Sequence, residues 1–114
     1  MSSITDVENK ARELADMIQS VDVYKRYLEA RQAISADVEL KKRTDEFRRR
    51  NFELQNSEVS NPIEARTNLT REYNDVLKNH LAKEYLDSEI VVCRMMQHIN
   101  IIVNKDLNID VNFM

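Results

Sequence analysis

At 114 residues the chain has room for one domain, expected to bury roughly two-thirds of its unfolded surface if it folds compactly. It contains no Gly, no Trp and a single Pro, which favours long helices and excludes the glycine-dependent phosphate loops of P-loop and dinucleotide-binding proteins. A net charge of -3 argues against a general nucleic-acid or membrane-surface binder, leaving only local basic clusters to consider.

The first helix is expected from about Thr5, because Thr5-Asp6-Val7-Glu8 has capping-box order, a hydroxyl followed three residues on by a carboxylate. Val7, Ala11, Leu14 and Ile18 then form one stripe. Around Ser20 to Asp22 the phase changes, and the stripe restarts on Tyr24, Tyr27, Leu28 and Ile34, which predicts a second helix or a kink. Ser35-Ala36-Asp37 offers an N-cap for a third helix, whose Leu40, Phe47 and Leu54 recur every seventh residue with Thr44 and Asn51 between them.

Residues 56–62 read as a loop ending in Asn61-Pro62-Ile63-Glu64, that is, a cap, a proline in the first turn and an acid beside the helix dipole. The fourth helix carries Leu69, Tyr73, Val76, Leu77 and His80 on one stripe, and Asn79 is placed to cap a fifth helix running to about Asn104. Beyond it, Leu107, Ile109, Val111 and Phe113 alternate with polar residues, the period of an extended segment. The expected architecture is all-α in a single domain of residues 1–114: N-terminal helices in 1–55, the loop 56–62, C-terminal helices in 63–104 and an extended tail in 105–114. About five helices are expected, built around a long antiparallel hairpin of the third helix with the fourth and fifth.

The stretch VVCRMMQHINII, residues 91–102, holds the side chains a soft metal wants, but Cys93 and His98 fall about 140° apart on a helical wheel. Two ligands of one helix share an ion at a separation of three or four residues, and here it is five. Val92, Met95, Met96, Ile99, Ile102 and Val103 share one face instead, and Ile90 and Ile101 make the helix apolar nearly all round. Such a helix needs cover on both sides, and a second copy of the chain is the simplest source. Tyr85, Val92, Met95, Met96, Ile99, Ile102 and Val103 are therefore the expected oligomer interface, with no metal or other cofactor.

The basic run in residues 41–50 offers Lys41, Lys42, Arg48, Arg49 and Arg50 as phosphate contacts, yet its charges wrap the helix and only Phe47 and Phe52 stand near it to stack on bases. A solvated face explains the run better than RNA contact does. His80 and His98 have no nucleophile or paired carboxylate beside them in sequence, so no catalytic residues are assigned. A small all-α enzyme of chorismate-mutase type would need inward cations, and Arg66 and Arg71 form no such pair. No stretch reaches the roughly 20 apolar residues of a membrane span, and the N-terminus shows no basic-then-apolar signal. With Cys93 as its one cysteine, the chain is expected in the cytoplasm.

The segments ELADMIQSVDVYKRYLEARQAI, DVELKKRTDEFRRRNFELQ, YLDSEIVVCRMMQHINIIV and LNIDVNFM together resemble the YlbF/YmcA family of small bacterial helical proteins. The resemblance runs from about Leu14 to Phe113 and rests on Tyr24, Tyr27 and Ala30, the helix begun at Asp37 and leading to Phe47, and Tyr85 before the last apolar helix. It implies an all-α, oligomeric, cytoplasmic regulator and not an enzyme. It further implies an adaptor in a complex that modulates an endoribonuclease, of the kind that assists competence, sporulation and biofilm formation. Some members of that complex carry iron-sulfur clusters on cysteines; Cys93 alone cannot supply the four thiolates, so no cluster is carried over.

Overall fold

Ser3 accepts a hydrogen bond from the Asp6 amide while the Asp6 carboxylate accepts from the Ser3 amide, so the first helix is capped two residues before Thr5. This earlier box satisfies two otherwise orphaned donors reciprocally and draws Thr5 into the first turn. The computed structural model describes residues 3–107. Within them lie six helices: α1 (Ile4–Ser20), α2 (Asp22–Ser35), α3 (Val38–Gln55), α4 (Pro62–Glu72), α5 (Asn74–Lys78) and α6 (His80–Asn104). The fold is all-α, with no strand among the described residues.

The remaining boundaries follow from side-chain chemistry. Val21, extended at φ -82° and ψ 149°, is the single residue between α1 and α2. Asp37 accepts from the Leu40 amide to start α3, and Asn61 accepts from Glu64 ahead of Pro62 to start α4. Asn79 accepts from the Leu81 and Ala82 amides to start α6. The expected single helix between Pro62 and Asn79 is broken at Tyr73, whose φ of -107° and ψ of 24° leave helical geometry. The break makes six helices where five were expected, and it moves His80 out of the α4 stripe to an exposed position opening α6. Of the expected extended tail, Lys105 and Asp106 form a turn and Leu107 is exposed; residues 108–114 lie outside the described residues.

The antiparallel pairing of α3 with α4, continued by α5, is present: Arg43 meets Asp75 of α5, Arg50 meets Glu72, and Leu54 lies beside Ile63 and Arg66. The closest pairing, however, is α2 with α6. There Tyr27 stacks on Tyr85 with ring centroids 5.9 Å apart, and Arg26 grips Glu84 with both nitrogens at 2.6 and 3.1 Å. Since Tyr85 also meets Lys41 and Arg48 of α3, the chain must double back between α2 and α3, which sets α2 antiparallel to α6. The buried set is Ala30, Ile34, Leu69, Tyr73, Val76, Ala82 and Tyr85, with Tyr27, Leu40, Phe47, Leu54 and Leu81 packed against it. Leu40, Phe47 and Leu54 thus keep the heptad seam read from the sequence, and Thr44 between them is wholly buried with its hydroxyl donating to the Leu40 carbonyl at 2.7 Å.

This core occupies α2 to α5 and the first half of α6. Helix α1 buries none of its residues and, among the described residues, touches α2 alone, and α6 runs on past the end of α2. The result is an elongated shape of 56 × 37 × 18 Å with a radius of gyration of 18.1 Å, against roughly 13 Å for a compact chain of this length. Small residues set the closeness of α2 and α6: Ala82 is wholly buried and Ala30 nearly so. Replacing Ala82→Leu should therefore overpack the seam and cost about 1–3 kcal/mol, seen as a lower urea midpoint with an unchanged slope.

Candidate functional site

The basic run of α3 contains two pairs of cations spaced by seven residues, so each pair stands on one face two turns apart. Lys41 and Arg48 both lie over the Tyr85 ring, each 5.3 Å from its centroid. Arg43 and Arg50 lie over the Tyr73 ring at 4.7 and 5.4 Å. A cation above an aromatic face gains about 0.5–2 kcal/mol as it becomes desolvated, and each tyrosine here has two.

Carboxylates then hold the cations in place. Asp45, between Lys41 and Arg48, accepts from both of them, with Arg48 at 2.8 Å, and Arg48 also pairs with Glu89 of α6. Arg43 binds Asp75 through two nitrogens at 2.8 and 3.0 Å and donates to the Glu72 carbonyl at 3.0 Å. Arg50 pairs with Glu72 at 2.6 Å and donates to the Tyr73 hydroxyl at 3.3 Å. Burial pushes the Asp45 carboxyl up, but the hydrogen bonds from Lys41 and Arg48 outweigh it and hold the group below its ordinary range. Burial likewise pushes the Tyr85 hydroxyl up, with Arg48 and Lys41 pulling the other way.

The residues proposed for nucleic-acid contact therefore have other employment. Lys41, Arg48 and Arg50 bind carboxylates and tyrosine faces, and Arg49 stands 3.7 Å from Glu53 on the exposed side. Lys42 is exposed and remote from the others' work. No continuous cationic stripe forms along α3. Arg66 and Arg71 are exposed beside Thr67, Thr70 and Asn74 in an open hollow of about 600 Å³, outside the core and facing no second set of cations among the described residues. Cys93 and His98 are both exposed, and among the described residues no three His, Cys, Asp or Glu side chains converge for a metal.

The α6 face divides into two parts. Tyr85 was expected at a subunit interface, but at 2% exposure it belongs to the core of its own chain, covered by Tyr27, Lys41 and Arg48. Its aromatic character resembled a contact residue in sequence, while the cations that cover it lie some forty residues away. Val92, Met95 and Ile99 are half-buried, and Met96, Ile102 and Val103 are exposed. Ile90 and Ile101, on the other flanks, are exposed as well. The stripe expected on α1 is a second open apolar surface, with Ile4, Val7, Leu14 and Met17 exposed, and its exposure was not anticipated from the sequence. The regular three-and-four spacing of Ile4, Val7, Ala11, Leu14, Ile18 and Val21 was the available sign of it.

Between α3 and α6 lies a groove of about 580 Å³ whose walls include Phe47, Phe52, Leu77, Leu86, Ile90 and Cys93. On α6 its wall ends at Cys93 and Gln97, a different flank of the helix from Val92, Met95 and Ile99. The arrangement presents shape and apolar area.

Two measurements probe the tyrosine clamps. Arg48→Ala should cost about 2 kcal/mol of stability, because it strips Tyr85 and leaves Glu89 and Asp45 short of a partner, whereas Arg49→Ala should stay within about 0.5 kcal/mol; urea titrations compare them directly. Since the Asp45 carboxyl is held low in the folded state, its contribution is complete above the unfolded value of about 4 and disappears as pH falls through the folded value. Asp45→Asn should accordingly flatten the acid limb of a stability profile, measured from pH 6 downward, relative to the unsubstituted chain.

No curated protein and no solved structure matches the chain. The family model described as control of competence regulator ComK, YlbF/YmcA, matches residues 7–108, which takes in every helix from the second turn of α1 to the end of α6. With nearly the whole helical frame inside that match, the chain belongs to the YlbF/YmcA family of regulatory proteins.

Proposed function

We propose that the protein is a non-enzymatic cytoplasmic adaptor that regulates by binding other proteins, and that it works as a homo-oligomer joined through the distal half of α6. The observation that carries this reading is the uncovered apolar surface from Val92 to Val103, where Ile101, Ile102 and Val103 are each more than half exposed. Monomeric proteins rarely leave a contiguous patch of this kind open, because each 100 Å² of apolar area kept in water forgoes about 2.5 kcal/mol. Membership of a regulatory family supports the same conclusion, as does the use of the α3 cations inside the fold. Among the described residues no helix is long and apolar enough to cross a membrane. An RNA-processing enzyme is the partner the family resemblance suggests, with protein surfaces and not nucleic acid forming the contact.

Met95→Glu or Ile99→Asp should reduce the sedimenting mass to that of one chain, because either substitution buries a carboxylate without a partner at the seam. The helical circular dichroism of α2 to α5 should persist, since neither residue belongs to the core. An oligomer mass unchanged by both substitutions counts against the seam. For the adaptor role, the purified wild-type chain should retain an RNA-processing enzyme from its native cell on an affinity resin, and the Met95→Glu chain should retain less.

A further inference from the structure

Helix α1 is 17 residues long, buries none of them and, among the described residues, meets only α2. A free helix of that length is marginal in water, since most helical stability in proteins comes from packing an apolar face. Its stripe at three-and-four spacing is the pattern of a helix that lies along another. The distal half of α6, from Val92 to Asn104, is a helix with the complementary deficiency. The two lengths agree, at about 25 Å for α1 and about 20 Å for distal α6.

Resting on the oligomeric reading above, we propose that α1 of each chain packs antiparallel along the distal half of α6 of a second copy, so that two chains exchange their first helices reciprocally. Three observations select a second copy as the occupant. The accessible surface of the chain is 9157 Å², about 2,600 Å² more than a compact monomer of this mass exposes. Even after a generous share is set aside for the chain ends, that excess matches the roughly 1,000–2,500 Å² which each partner of an obligate homodimer buries. Both the arm and its receiving face are present on one chain, so a two-fold pair covers both at once and leaves neither over.

The register supplies the third. Tyr27 of α2 stands opposite Tyr85 of α6, and an antiparallel pairing carried past Val21 in that register sets Ile18 level with Arg94, Leu14 with His98 and Ala11 with Ile101, each one residue from Met95, Ile99 and Ile102. Ile18, Leu14 and Ala11 thus fall within one residue of the α6 face that the body packs on α2. Within one chain the same pairing is not made: Val21 leaves helical geometry and directs α1 away from α6. An anionic lipid surface suits α1 poorly, because Asp6, Glu8, Glu13 and Asp16 outnumber Lys10 and Arg12.

The test uses full-length chains carrying Cys93→Ser, to remove the exposed native thiol. A tagged Leu14→Cys chain is co-expressed with an untagged Ile99→Cys chain, and mild oxidation is followed by a non-reducing gel. The expected result is a disulfide-linked pair of one tagged and one untagged chain, at least tenfold more abundant than linked pairs from either variant alone. In parallel, Val7→Glu with Leu14→Glu should weaken dimerisation at least 100-fold in sedimentation while the helical body stays folded, since α1 contributes nothing to its own core. A dimer mass that survives both glutamates overturns the exchange but leaves the α6 seam standing. A chain bearing Leu14→Cys and Ile99→Cys together that closes only on itself also overturns it. A wild-type chain that sediments as a monomer overturns both the exchange and the oligomeric reading.

Discussion

Two tyrosines with cations above them organise everything else in this molecule. Tyr73 sits where α4 gives way to α5, and Tyr85 sits one and a half turns into α6; both are almost wholly buried. Helix α3 reaches each of them with two long cationic side chains, and the carboxylates Asp45, Glu72, Asp75 and Glu89 fix those side chains in place. A phenol ring in a core must find a partner for its hydroxyl and gains from charge over its face. By setting cations over both rings from one helix, and donating to the Tyr73 hydroxyl from Arg50, the chain couples α3 to α4, α5 and α6 with few large aliphatic residues. The break at Tyr73 follows from this arrangement, since the ring is turned inward between Phe47, Arg43 and Arg50.

The same constraint explains why the body ends where it does. The clamps span α3 from Lys41 to Arg50, and the part of α6 they reach ends near Glu89. Beyond that point neither α2 nor the clamps provide cover, so α6 projects with its apolar residues in place. At the other end of α2, Val21 interrupts the helix before the chain can lie beside that projection. The exposed apolar segment and the stable core are thus separate segments of the same helix, which lets one be altered without dismantling the other.

Much of the fold was legible in the sequence because its boundaries are set by local chemistry. Asp37, Asn61 with Pro62, and Asn79 each act through a side chain and an amide two or three residues away, and such signals need no knowledge of the rest of the chain. Ser3 was passed over for Thr5 because both offer a hydroxyl followed by an acid at the same spacing. The break at Tyr73 was not legible, since no glycine or proline marks it and its cause lies on α3. Tyr85 was misplaced for the same reason: period assigns a residue to a face, but which face meets which helix is decided by contacts distant in sequence. The surface of α1 was visible as a stripe, and only the three-dimensional structure shows that among the described residues α2 alone meets it.

Val21 carries one more consequence. A single extended residue, with no glycine and no side-chain cap, joins a helix that buries nothing to a body that holds the entire core. Opening free energies in a protein follow local packing, so the amides of α1 and those of α2 to α5 should belong to different cooperative units. Order in the first twenty residues then depends on what the molecule meets, whereas order in the body is intrinsic to the chain. If α1 docks on a second copy as proposed, protein concentration becomes a structural variable that acts on one helix and spares the rest.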